Sequence, residues 1–162
     1  YEGPVFLRLS RVGVPDLLSA GHKFVPGKAN LLRDGDAVTL IANGTLTHRM
    51  MKAADILASR GIEARVLNMA TVRPIDVEAV VAAARDTGAI LTAEEHSIYG
   101  GLGSAIAEVV VAESPVPMKI LGVPGIFAPT GSAEFLLDEF GMSPIAVADA
   151  AVELIARKAA RA

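Results

Sequence analysis

The sequence predicts an α/β fold: a three-layer α/β/α sandwich around a mainly parallel, roughly five-stranded sheet. Three observations carry that expectation. Short apolar runs alternate with stretches of helical periodicity along the whole chain. The apolar runs are not cleanly alternating, which is the pattern of strands covered on both faces. Glycine, Asn-Gly or a capping side chain marks most boundaries. Strands in series with helices are joined by right-handed crossovers, and these make the strands parallel. A chain of 162 residues suits one domain with a short appendage.

The elements follow in order. Val5 to Leu9 is a strand candidate that starts abruptly after Tyr1, as in a chain cut from a longer parent. Val12 to Arg33 is rich in Gly and Pro, has little periodicity and reads as a linker. The domain proper begins near Asp34. Ala37 to Ala42 is a buried strand, Asn43-Gly44 a turn, and Thr45 to Arg60 a helix with Leu46, Met50, Ala53 and Leu57 on one face. Gly61 stops it. Ile62 to Asn68 is the next strand. Asp76 caps a helix running to Asp86, with Val77, Val80, Val81 and Ala84 inward. Gly88 to Ala93 is a strand, and the helix after Gly103 buries Leu102, Ile106, Val109 and Val110. Pro117 to Gly122 is the last strand. Ser132 to Phe140 is a short helix. Ser143-Pro144 opens a final helix to Lys158, with Ile145, Ala148, Val152 and Ile155 as its inner face.

Composition narrows the function. The chain is 52% hydrophobic and 20% charged, with a net charge of −3, which fits a compact core and gives no basis for a nucleic-acid or anionic-membrane partner. No apolar run approaches the length of a membrane span. With 0 cysteines, these residues supply no disulfide, thiolate metal site or thiol nucleophile.

Chemistry concentrates between Thr92 and Ala107, where a strand delivers Glu94-Glu95-His96 into the glycine-rich turn Gly100-Gly101-Leu102-Gly103 and then a helix. Ile106 stands where a dinucleotide fingerprint needs glycine or alanine, so the turn reads as a tight approach of backbone to a neighbour rather than a nucleotide cradle. Adjacent Glu94 and Glu95 point to opposite faces of an extended chain, which disfavours an acid/base pair. His96 is a candidate proton carrier and, more simply, a structural or interface hydrogen-bonding group. His22, His48 and His96 have no metal-ligand spacing, and His48 reads as a surface residue. Asn43-Gly44-Thr45 offers a helix start that either holds an anion or is capped by Thr45. Arg11, at a strand end, has the planar fork for gripping a phosphate or carboxylate.

Taken together, these segments resemble transketolase. Gly3 to Pro15 resembles the end of its pyrimidine-binding domain, and Gly27 to Gly35 its connector. Val38 to Ala42, Ala64 to Met69, Arg73-Pro74-Ile75-Asp76 and Glu94 to Glu108 resemble its C-terminal domain, in the style of short or split bacterial transketolases. The resemblance implies residues 1–33 as the end of the preceding domain plus linker, and 34–162 as the C-terminal domain. It implies the transfer of a two-carbon ketol unit between phosphorylated sugars on thiamine diphosphate and Mg2+, both bound outside this portion. The pentose phosphate pathway and the cytoplasm would be the setting. Arg11 matches the family arginine that holds the substrate phosphate. His96, Tyr99, Gly100, Gly101 and Gly103 fall on its packing and dimer surface. The implied partners are a thiamine-binding portion or subunit and the homodimer or heterotetramer built with it; the portion alone is expected to be inactive. Deoxyxylulose-phosphate synthase and the β subunits of 2-oxo acid dehydrogenases share this domain and are the alternative, as is a non-catalytic interaction or regulatory module.

Overall fold

The computed structural model describes residues 2–7, 9–10 and 12–160. Along them run β1 (Asn30–Arg33), β2 (Val38–Ala42), α1 (Leu46–Ser59), β3 (Ala64–Asn68), α2 (Val77–Thr87), β4 (Ile90–Ser97), α3 (Leu102–Glu113), β5 (Met118–Val123), α4 (Ala133–Glu139) and α5 (Pro144–Ala159). The strands form one 5-stranded sheet in the order β1-β3-β2-β4-β5. β2 pairs in parallel with β3, Val38 opposite Ala64, and with β4, Thr39 opposite Ile90. β4 and β5 are parallel, and β1 alone runs antiparallel, against β3.

The central strand explains the three layers. Val38, Leu40 and Ala42 enter a core with Leu46, Met50 and Leu57 of α1 and Val147 and Leu154 of α5. Ile41 points the other way, among Val80 and Ala84 of α2 and Ile106 and Val109 of α3. Successive side chains of a strand alternate faces, so helices on both sides turn alternation into a continuous apolar run. Each large aliphatic side chain sealed this way contributes about 1.5–3 kcal/mol. Thr39, on the α2 side, satisfies its hydroxyl against Thr87 Oγ1 at 2.8 Å.

Asp76 caps α2 as the sequence predicts, accepting from the Ala79 N–H at 3.2 Å. Its other oxygen accepts from the Ala29 N–H at 2.9 Å, which ties the chain before β1 to the same helix start. Ser132 and Ser143 cap α4 and α5.

Four expectations are corrected. Val5 to Leu9 forms no strand among the described residues; its side chains there are exposed and its backbone has no ladder to join. The strand lies instead at Asn30–Arg33, inside the stretch read as linker. Val77 is exposed, while Val80 and Ala84 are buried. On α5 the buried face is Val147, Ala148, Ala151 and Leu154, and Ile145 and Val152 are exposed. Alanines meet across this seam, Ala53 and Ala54 of α1 lying in the same core as Ala148 and Ala151. Small side chains let two helices approach closely, and a branched Ile145 or Val152 there would hold them apart.

Candidate functional site

The C-terminal ends of β2, β3 and β4 open into a cleft of about 520 Å³, lined in part by Asn43, Thr45, Ala70, Glu94, His96 and Gly101. The position is that of a switch point: the chain leaves β2 for β3 on one side and returns to β4 on the other. In open α/β sheets this is where the strand ends leave a crevice.

The β4–α3 turn builds one wall. Pairing of β4 with β5 breaks register between Ala93 and Ser97, which frees Glu94 to His96 from the regular ladder. Glu94 is 4% exposed, and its two oxygens accept the N–H groups of Leu102 at 2.8 Å and Gly103 at 2.9 Å. The carboxylate thus fills the N-terminus of α3, where unpaired N–H groups and the helix dipole favour negative charge. The turn glycines follow from that. A Cβ on Gly101 would lie 2.1 Å from Glu94 Oε2, and one on Gly103 would lie 2.5 Å from Ile120 Cγ2. Gly100 has φ of 75° and donates its N–H to Ser104 Oγ at 2.9 Å. The tight-approach reading of this turn holds, and the neighbours approached are Glu94 and β5.

Glu95 points away from Glu94, is exposed, and accepts a hydrogen bond from the Thr45 hydroxyl. Thr45 therefore does not cap α1 with its side chain, contrary to one sequence reading. A carboxylate at this helix start also opposes the alternative reading, an anion at Asn43-Gly44-Thr45. His96 is exposed; its Nδ1 donates to the Ser97 carbonyl at 3.0 Å, which leaves Nε2 as the basic nitrogen of the neutral ring. Nδ1 also lies 4.0 Å from Glu94 Oε2. Tyr99 is exposed, with its ring against Gly125. The structure therefore brings His96, Tyr99, Gly100, Gly101 and Gly103 to one loop at the cleft mouth. Arg11 lies outside the described residues.

A diphosphate does not fit these residues. One helix N-terminus on the cleft holds Glu94, the other faces Glu95, and among the described residues no group of three His, Asp or Glu side chains gathers for a metal ion.

Sequence reasoning missed the buried Arg49. Its guanidinium bonds to Asp138 of α4 and to the Met142 carbonyl at 3.2 Å, clamping α1 to the turn before α5. His48, read as a surface residue, is half-buried, and its Nδ1 is sealed without a hydrogen-bond partner among the described residues.

Residues 27–147 match the family model for the transketolase C-terminal domain. The chain belongs to that family. It is 42% identical to the 6-deoxy-6-sulfo-D-fructose transketolase subunit of Clostridium sp. (strain MSTE9), over 98% of this chain and 49% of that protein. It is 40% identical to the 1-deoxy-D-xylulose-5-phosphate synthase of Desulforudis audaxviator (strain MP104C), over 88% of this chain and 23% of that one. Among solved structures, a split-gene transketolase described as an inactive β4 tetramer superposes with a TM-score of 0.84 at 42% identity, covering 91% of this chain and 48% of that one. The resemblance to transketolase and the predicted fold class both hold. The chain spans about half the length of that transketolase subunit and of that solved chain. No described helix is long and apolar enough to cross a membrane.

Proposed function

We propose that this chain is the C-terminal portion of a transketolase, completing an enzyme that moves a two-carbon ketol unit between phosphorylated sugars. The observation that carries this reading is the match to a split-type transketolase subunit along nearly the whole chain, at 42% identity. In this reading thiamine diphosphate and Mg2+ bind on another portion or subunit and supply the carbanion chemistry. That assignment agrees with strand-end helices whose N-termini already face carboxylates. The segment before β1 is the end of the pyrimidine-binding domain, and Val5 to Leu9 finds its sheet there. Arg11 holds the substrate phosphate, and His96, Tyr99 and the Gly100 to Gly103 turn pack on the neighbouring domain. The assembled enzyme is a homodimer or heterotetramer, and phosphorylated substrates place it in the cytoplasm. The sulfosugar in one relative's name makes the pentose phosphate pathway only one of the sugar routes open to it.

The test is sugar-dependent ketol transfer with thiamine diphosphate and Mg2+, by this polypeptide alone and mixed with its thiamine-binding portion. Activity only in the mixture is the expected result. Pyruvate-dependent condensation in place of ketol transfer would move the chain to the deoxyxylulose-phosphate synthases, which share this domain.

A further inference from the structure

Aromatic side chains ordinarily anchor cores. Both cores of this domain are instead built from aliphatic residues, and Phe6, Phe24, Tyr99, Phe127 and Phe135 are all exposed. Two of them meet on one surface. A Cβ on Gly125 would come within 2.9 Å of Tyr99 Cε2, so the loop after β4 touches the loop after β5. On that surface Tyr99 is 68% exposed, Ile126 61% and Phe127 fully. Residues 97–107 and 120–133, which carry both loops, contain no charged residue. A groove along Ile120, Ser104, Ala107 and Val111, bordered by Glu108, extends the band along the outer side of α3. Depletion of charge with exposed aromatics is the composition of the centre of a protein–protein interface. Without a cation the band has nothing to hold a phosphate.

We propose that the Tyr99–Ile126–Phe127 surface is where a second copy of this chain docks, with Phe127 as the anchor. This rests on the reading above that the protein self-assembles, which the tetramer of a single chain type in a 42% identical relative supports. Charge favours a copy as the occupant. A two-fold contact presents one patch to itself, so every charge in it meets its own like. In a chain of net charge −3, an uncharged band is where two copies meet without that repulsion.

The experiment uses the full-length protein. Its mass in solution is measured first, by sedimentation or light scattering. Phe127→Cys is then treated with a short bismaleimide and compared with the parent, and Phe127→Asp is sized across a dilution series. Phe127 touches neither core, so both variants should keep the parent's melting curve. The crosslink retains every other native side chain and does not depend on Phe127→Asp folding. The expected results are a crosslink between two copies and a self-dissociation constant raised about thirtyfold or more in Phe127→Asp. An oligomer with no such crosslink and an unshifted Phe127→Asp overturns the surface and leaves self-assembly standing. A crosslink to the thiamine-binding subunit instead assigns the patch to that partner and overturns the proposal. A parent that stays monomeric overturns self-assembly and the proposal together.

Discussion

At the start of α3 a carboxylate and a glycine are fitted to each other. Gly101 has φ of −103°, open to any residue, so its side chain is forbidden by space and not by backbone. The occupant of that space is Glu94, which holds two N–H groups of the helix. Two substitutions separate the causes. Glu94→Ala should cost about 1–3 kcal/mol, because buried N–H groups lose their acceptor. Gly101→Ala should cost a similar amount, about 1–3 kcal/mol, through overpacking. In a Glu94→Ala background, Gly101→Ala should cost far less, since the obstructing carboxylate is gone. Urea denaturation of the four proteins checks it, and simple additivity would mean that Glu94 is not the obstacle. The sequence made the tight turn and the opposed directions of Glu94 and Glu95 legible, because both follow from local geometry. It did not show that the group approached was Glu94, since that depends on the chain folding back on itself. The burial of Arg49 was equally hidden: its partner Asp138 is 89 residues away.

Among the elements, boundaries were more legible than faces. Caps such as Asp76, Ser132 and Ser143 are local signals, and they stand where the sequence placed them. The inner face of α5 is decided by what α1 offers across the seam, which no period within α5 contains. Ala151→Leu should therefore cost about 1–3 kcal/mol by forcing the two helices apart, whereas Ile145→Ala should change thermal stability little. β1 was missed because a four-residue strand beside Gly and Pro carries little pattern, while Val5 to Leu9 carries the pattern and finds no partner. The edge of the sheet also has a pH signature. Asp34 accepts the Gly35 N–H at 2.9 Å and faces Arg65 at 3.0 Å; that backbone bond first, then the guanidinium, holds its carboxyl below the usual carboxylate range. The folded protein then binds fewer protons than the unfolded chain as acid is approached. The contribution is whole above the ordinary aspartate range and fades as pH falls through the lowered value. Asp34→Asn should flatten that part of a stability-against-pH curve below about pH 4 and leave neutral pH little affected.

At the scale of the whole molecule, the fold was legible because two covered sheet faces write themselves into continuous apolar strands. The site was legible only in its local half. Cleft residues from Asn43, Ala70 and Glu94 meet because three strands end together, a fact of topology and not of any motif. The other half of the proposed chemistry belongs to the assembled enzyme, and Arg11 is the residue of this chain that joins the two. A guanidinium on a phosphate monoester acts far from the bond being broken, so it binds ground state and transition state alike. Arg11→Ala in the assembled enzyme should therefore raise KM for phosphorylated sugars roughly 10- to 100-fold and leave kcat nearly unchanged. Non-phosphorylated donors should lose nothing, because they have no group for the arginine to hold. Arg11→Lys keeps the charge without the planar fork and should fall between the two. Steady-state kinetics with matched phosphorylated and non-phosphorylated donors decides it: an equal loss on both would assign Arg11 to the packing of the domains and not to the phosphate.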